Sequence, residues 1–173
     1  MPFPPGWWSN APLRLYHGTT LESARRIAEE GVRVSEGRRG TDFGPGFYAT
    51  TVERQAWTWA WQLGERRRAA PAVVAADVDR DALGELCTLA FVRGDFDAED
   101  FWRFVVYCRR GARDHGRHTP AGGLYDVVVG PAAAIWRQRL SLSDTDQVSF
   151  HTAAAEDVLN RAPWEIHDQL PAF

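Results

Sequence analysis

The chain has 173 residues, 45% of them hydrophobic, which fits one globular domain with its own core. All 20 Lys+Arg positions are arginine, and this excludes Walker-A ATPase, pyridoxal-phosphate Schiff-base, lysine-dependent kinase and Ser-Lys hydrolase mechanisms. Against 23 acidic residues the formal charge is −3, so no bulk positive field draws the whole chain onto nucleic acid or an anionic membrane, and anion binding has to be local.

In chain order, residues 1–12 are rich in Pro, Gly and Trp without a period and predict an irregular arm ahead of a single domain over 13–173. The opening MPFPPGWWSN has neither a basic start nor an apolar run, no stretch reaches membrane-spanning length, and the only cysteines are Cys87 and Cys108. A cytoplasmic, reducing compartment is therefore expected. Leu13 to His17 predicts a strand closed by Gly18, and Leu21 to Glu30 predicts a helix with Thr20 as N-cap and Gly31 as C-cap. A glycine-studded loop over 37–46 leads into a short strand at Phe47 to Ala49, then a helix over 52–68 whose Trp57 and Trp61, four apart, are expected in the core. Ala72 to Val78 reads as a strand covered on both faces. Glu99 to Arg110 reads as an amphipathic helix, with Phe101, Phe104, Val105 and Cys108 along one stripe. After a polar loop over 111–123, strands are predicted at 124–129 and 147–151, and a last helix at 152–161 whose Thr152 and Glu156 resemble a loosened cap. The elements mix without a βαβ rhythm, so the expected class is α+β with a mostly antiparallel or split sheet.

Three stretches carry candidate chemistry. In Leu15 to Thr20 (LYHGTT) a strand delivers His17 to a turn where Gly18, lacking a Cβ, lets a ligand approach its N–H and C=O. An ordinary strand-end histidine is the competing reading. In Gly40 to Thr51 (GTDFGPGFYATT) a bent loop ends in Phe47 and Tyr48; strand neighbours face opposite ways, so one ring can enter the core while the other offers a stacking surface in a cleft. Asp42-Phe43-Gly44 spells the kinase magnesium triplet, but the partner motifs are missing and the match is dismissed. In Asp146 to Thr152 (DQVSFHT) alternation puts Gln147, Ser149 and His151 on one face, lining either solvent or a cleft. No serine sits in a nucleophile elbow, and Cys108, His115 and His118 lack a fourth ligand, so no metal site is expected. Arginines cluster at 38–39, 66–68 and 109–117; such runs are usually solvated faces, and one of them can instead cradle a pyrophosphate.

Taken in order, Tyr16 to Thr19, Asp42 to Tyr48, Tyr125 to Pro131 and Gln147 to Thr152 resemble the ADP-ribosyltransferase superfamily. The resemblance is to its His-Tyr-Glu class, and more closely to a bacterial branch with patterns like YHGT, DFGxGFY, YDxVxGP and QxSFHT. It implies split antiparallel β-sheets around an NAD cleft with flanking helices, and NAD as co-substrate without a metal. It places His17, Gly18, Thr19, Gly46, Phe47, Tyr48 and Ser149 on the dinucleotide, with His17, Tyr48 and Gln147 serving the chemistry. His17 would bond a ribose hydroxyl, Gly18 would hold the nicotinamide carboxamide, and Tyr48 would stack on the nicotinamide ring.

Gln147 stands where the class has glutamate near the 2′-hydroxyl of the nicotinamide ribose. Glutamine keeps orientation but loses the charge that helps an oxocarbenium-like sugar. The implied function is NAD-dependent mono-ADP-ribosyl transfer to a protein or nucleic-acid acceptor, as in bacterial toxins or defence effectors neutralised by a small antitoxin-type partner. A binding module for NAD or ADP-ribose, an NAD glycohydrolase, and NAD-dependent removal of an RNA 2′-phosphate are the alternatives. If Gln147 only orients the ribose, Gln147→Glu should retain or raise NAD cleavage.

Overall fold

The computed structural model describes residues 10–91 and 99–169; most of the expected N-terminal arm, with Trp7 and Trp8, lies outside them. The elements are β1 (Leu13–Thr20), α1 (Leu21–Glu30), β2 (Phe47–Ala49), α2 (Glu53–Arg67), β3 (Pro71–Val78), α3 (Arg80–Gly84), β4 (Thr88–Ala90) and α4 (Glu99–Arg109), then β5 (Val127–Gly130), β6 (Ala133–Ile135), β7 (Leu140–Ser141), β8 (Gln147–Phe150), α5 (Ala153–Leu159) and β9 (Glu165–His167). The class is α+β, with small separate sheets. One sheet has the order β1-β3-β9, a second has β2-β8-β5-β4, and β6 with β7 forms a hairpin. All pairings are antiparallel except β4 with β5. No helix among the described residues is long and apolar enough to cross a membrane.

Two mutual backbone hydrogen bonds between Tyr16 and Thr50, at 2.8 and 2.9 Å, link the two sheets. In an antiparallel pair the N–H and C=O of a residue point to one edge, and those of the residue two further along point the same way. The Gly18 amide therefore faces the β2 side, where the sheets diverge, and it has no backbone partner there among the described residues. That divergence opens the cleft.

The strand β3 is sandwiched, as its continuous apolar run predicts. Val74, Ala76 and Val78 join Leu15, Phe150, Val158 and Trp164 in the main core, while Val73 turns to Ala56, Trp57 and Ala60 of α2. On the far side of the second sheet, Phe101, Trp102, Phe104, Val105 and Cys108 of α4 cover Phe43 and Val128. Each buried Val, Leu or Phe side chain among these contributes about 1.5–3 kcal/mol through removal of its surface from water.

Local rules set the helix ends. Thr20 caps α1 by accepting from Ser23 N, and Gly31 follows at φ 86°. Thr152 caps α5 through Ala155 N, but Glu156 does not complete a box: its carboxylate accepts from Val34 N at 2.7 Å, tying α5 to the loop after α1. Two other expectations fail. Trp57 is buried, yet Trp61 is 50% exposed, because the α2 stripe facing the sheet is set by Ala56, Trp57, Ala60 and Gly64. The strand expected at 124–129 begins only at Val127; before it the Asp126 carboxylate accepts from Cys87 N and the Thr152 hydroxyl, fastening the chain as a loop.

Candidate active site

A cavity of about 840 Å³ lies between the end of β1, α1 with the loop after it, α2, and a floor of β2, β6 and β8. Its size is in the range that holds small-molecule ligands, about 300–1,000 Å³. It brings together His17, Gly18, Thr19, Gly46, Phe47, Tyr48 and Gln147 from stretches as much as 130 residues apart. Helix α2 contributes Trp59, Gln62, Leu63, Arg66 and Arg67, largely at the spacing of one helical face.

His17 sits recessed in the wall, its ring 4.5 Å from that of Phe47. Its Nδ1 lies 2.6 Å from the Tyr48 carbonyl, which can only accept, so Nδ1 carries the proton and Nε2 is the lone pair left for a ligand. Burial holds its pKa below the ordinary imidazole value, against the opposite pull of that carbonyl, so it is neutral at pH 7. The two rings of β2 divide as strand alternation requires: Phe47 is buried, edge-on to Trp164 in the main core, while Tyr48 is the half-buried one. The Tyr48 hydroxyl is bound to the 41–44 loop, donating to Gly44 O at 2.6 Å, accepting from Phe43 N at 2.9 Å and contacting Thr41 Oγ1 at 2.9 Å. Burial raises its pKa far above the phenol value. The phenol is thus neutral and occupied, and the ring is what it can offer a ligand.

Gln147 is 4% exposed at the start of β8. The strand entry is clamped by Asp146, whose carboxylate accepts from Thr51 N and from the Thr50 and Thr51 hydroxyls, and whose backbone pairs with the Gln55 amide at 2.6 and 3.1 Å. The Gln147 Nε2 donates to Asp42 Oδ2 at 2.5 Å. Asp42, also 4% exposed, accepts from Ala133 N on the same oxygen at 3.0 Å and pairs through Oδ1 with the Arg109 guanidinium at 2.6 Å. Sequence reasoning missed both Asp42 and Arg109 as site residues. The available signal was that Asp42 stands in the same GTDFGPGFY stretch as Tyr48.

Ser149 corrects the expectation of a dinucleotide contact. It is fully buried and away from the cavity wall, its hydroxyl 3.1 Å from Val128 O and 2.8 Å from His151 Nε2. The polar face of β8 lines the cleft only at Gln147; beyond it, the rings of Tyr48 and His115 pack against His151 on that face. His151 donates from Nδ1 to Pro45 O at 2.8 Å, and His115, from the supposedly polar loop, is 1% exposed with Nε2 donating to Tyr125 O at 3.0 Å.

Burial holds the His151 pKa down to about 4, with Pro45 pulling the other way and His115 adding to the depression. A folded value below the unfolded one, about 6.5, means that this residue's contribution is fully present above pH 6.5 and is lost as pH falls towards 4. His17 and His115, also lowered by burial, act in the same direction. Between pH 7 and 4.5 the stability advantage of wild type over His151→Gln is expected to shrink by about 2–3 kcal/mol. Urea denaturation at the two pH values measures it.

Six arginines line the cavity against three carboxylates, a local excess of positive charge in a chain whose formal charge is −3. Arg26 pairs with Glu36, Arg33 with Glu30 and Arg109 with Asp42. Arg38, Arg66 and Arg67 have no carboxylate partner among the described residues.

A model of the family described as "Protein of unknown function (DUF3990)" matches residues 13–138, a span that includes His17, Asp42, Tyr48 and Arg109 and stops before Gln147. No curated protein matches the chain.

Proposed function

The chain belongs to the DUF3990 family, whose description assigns no activity, and from the chemistry of the cleft we propose that it is an NAD-dependent mono-ADP-ribosyltransferase built on an ADP-ribosyltransferase-like pair of split sheets. The observation that carries this reading is the convergence of His17, Tyr48 and Gln147 on one cavity beside the unpaired Gly18 amide.

Each group has a matching part of the dinucleotide. The Gly18 N–H and C=O complement the C=O and N–H of a carboxamide. The Tyr48 ring stacks on the nicotinamide, worth about 0.5–1.5 kcal/mol beyond its buried area. His17 Nε2 accepts from a ribose hydroxyl, and the Gln147 amide oxygen accepts from the 2′-hydroxyl of the nicotinamide ribose. Arg38, Arg66 and Arg67 supply charge for the diphosphate. Nicotinamide bound through its ring nitrogen is a cationic leaving group, so the protein's task is to bend NAD and hold C1′ towards an acceptor. A protein or nucleic-acid acceptor then takes the ADP-ribose.

The test is incubation with NAD and a cell lysate, following released nicotinamide and label carried on the adenosine. Nicotinamide release with label on a macromolecule is the expected result. Free ADP-ribose as the sole labelled product would select an NAD glycohydrolase, NAD binding without release a binding module, and neither binding nor release would contradict the reading.

A further inference from the structure

We propose that Asp42 is a positioning residue that fixes the Gln147 amide with its oxygen towards the ribose by holding a carboxylate against the amide nitrogen. The inference rests on the NAD-cleaving reading of this cleft.

A carboxylate only accepts hydrogen bonds, so with Asp42 Oδ2 2.5 Å from Gln147 Nε2 the amide cannot flip without setting two oxygens against each other. Asp42 is itself immobilised by the Ala133 N–H on one oxygen and Arg109 on the other. With one N–H engaged and the amide held in this orientation, Oε1 is the acceptor Gln147 keeps for a ligand of the cavity it lines. The bond to a carboxylate is charge-assisted and polarises the amide, raising electron density on Oε1. In the reaction the C1′–N bond breaks and its electron pair leaves on nicotinamide. The acceptor's lone pair forms the new bond to C1′, and the acceptor's proton passes to water. Gln147 accepts from the 2′-hydroxyl throughout and is unchanged.

This arrangement reverses the expectation that Gln147→Glu retains or raises cleavage. A glutamate there would face Asp42 at hydrogen-bond distance; Arg109 and the Ala133 N–H compensate the Asp42 charge alone, so the added carboxylate is expected to hold a proton shared with Asp42. Adding Asp42→Asn restores one acid and one amide with their places exchanged.

The experiment measures kcat and KM for nicotinamide release from NAD by wild type, Asp42→Asn, Gln147→Glu and the double variant, across pH. Asp42→Asn is expected to lower kcat about 10- to 100-fold with a much smaller change in KM. Gln147→Glu should lose activity and acquire an alkaline limb in its kcat profile as the shared proton leaves. The double variant should return to within about tenfold of wild type if the exchange of charge and amide is what matters. Wild-type kinetics in Asp42→Asn, or a double variant no better than Gln147→Glu, would overturn the inference while leaving the reading of the cleft in place. No release by wild type would contradict that reading, and the inference with it. If Asp42→Asn alone does not fold, the double variant against Gln147→Glu decides.

Discussion

Gly18→Ala is expected to lower stability by about 3 kcal/mol or more, the largest loss anticipated for adding a single methyl group. A Cβ at Gly18 would stand 1.9 Å from Ala56 O, with Ala56 C and Ala60 N both at 2.9 Å. All three atoms belong to the backbone of α2, so no rotamer change relieves the clash. Helix and strand must separate, opening the cluster of Ala56, Trp57, Ala60 and Val73. Gly84→Ala serves as the control, since nothing lies within 4 Å of its added Cβ. Urea denaturation of the two variants should show a loss for Gly18→Ala and a change within about 1 kcal/mol for Gly84→Ala. The absence of a side chain at Gly18 thus has a cause inside the fold: it lets α2 lie against β1, and that contact sets one wall of the cleft.

Elements governed by local rules were legible in the sequence. Thr20 and Gly31 bracket α1 as expected, the valine run of β3 is covered on both faces, and Phe47 and Tyr48 divide between core and cleft. Local pattern failed where long-range packing decides. The short strands β4, β6, β7 and β9 span two or three residues each, too few to show a period, and they exist through their partners. Trp61 sits on the helix face turned away from the sheet, which its spacing from Trp57 could not reveal. At Ser149, alternation identified the right side of the strand, shared with His151, but not the Tyr48 and His115 rings packed over that face. Asp42 was missed for a different reason. Its partners Arg109 and Gln147 lie 67 and 105 residues away, and no spacing rule joins three such positions.

The central claim is that His17 and Tyr48 act on one bound dinucleotide, and their substitution carries the largest expected effect on activity. His17→Ala removes the Nε2 acceptor and also the Nδ1 bond to the Tyr48 carbonyl, so the ribose loses its partner and β2 loses a tie to β1. Misplacement of the reacting carbon by even about 1 Å costs on the order of 100-fold. Tyr48→Ala removes the stacking ring, whose buried area and ring contact together amount to about 2–4 kcal/mol, again on the order of 100-fold. Tyr48→Phe keeps the ring but releases the 41–44 loop, so it should lose stability while retaining most of the turnover. The deciding measurement is kcat/KM for nicotinamide release from NAD by wild type, His17→Ala, Tyr48→Ala and Tyr48→Phe, with circular dichroism to confirm that each is folded. A fall of about 100-fold in both alanine variants, and far less in Tyr48→Phe, is the result predicted; turnover unchanged by either alanine would contradict the account.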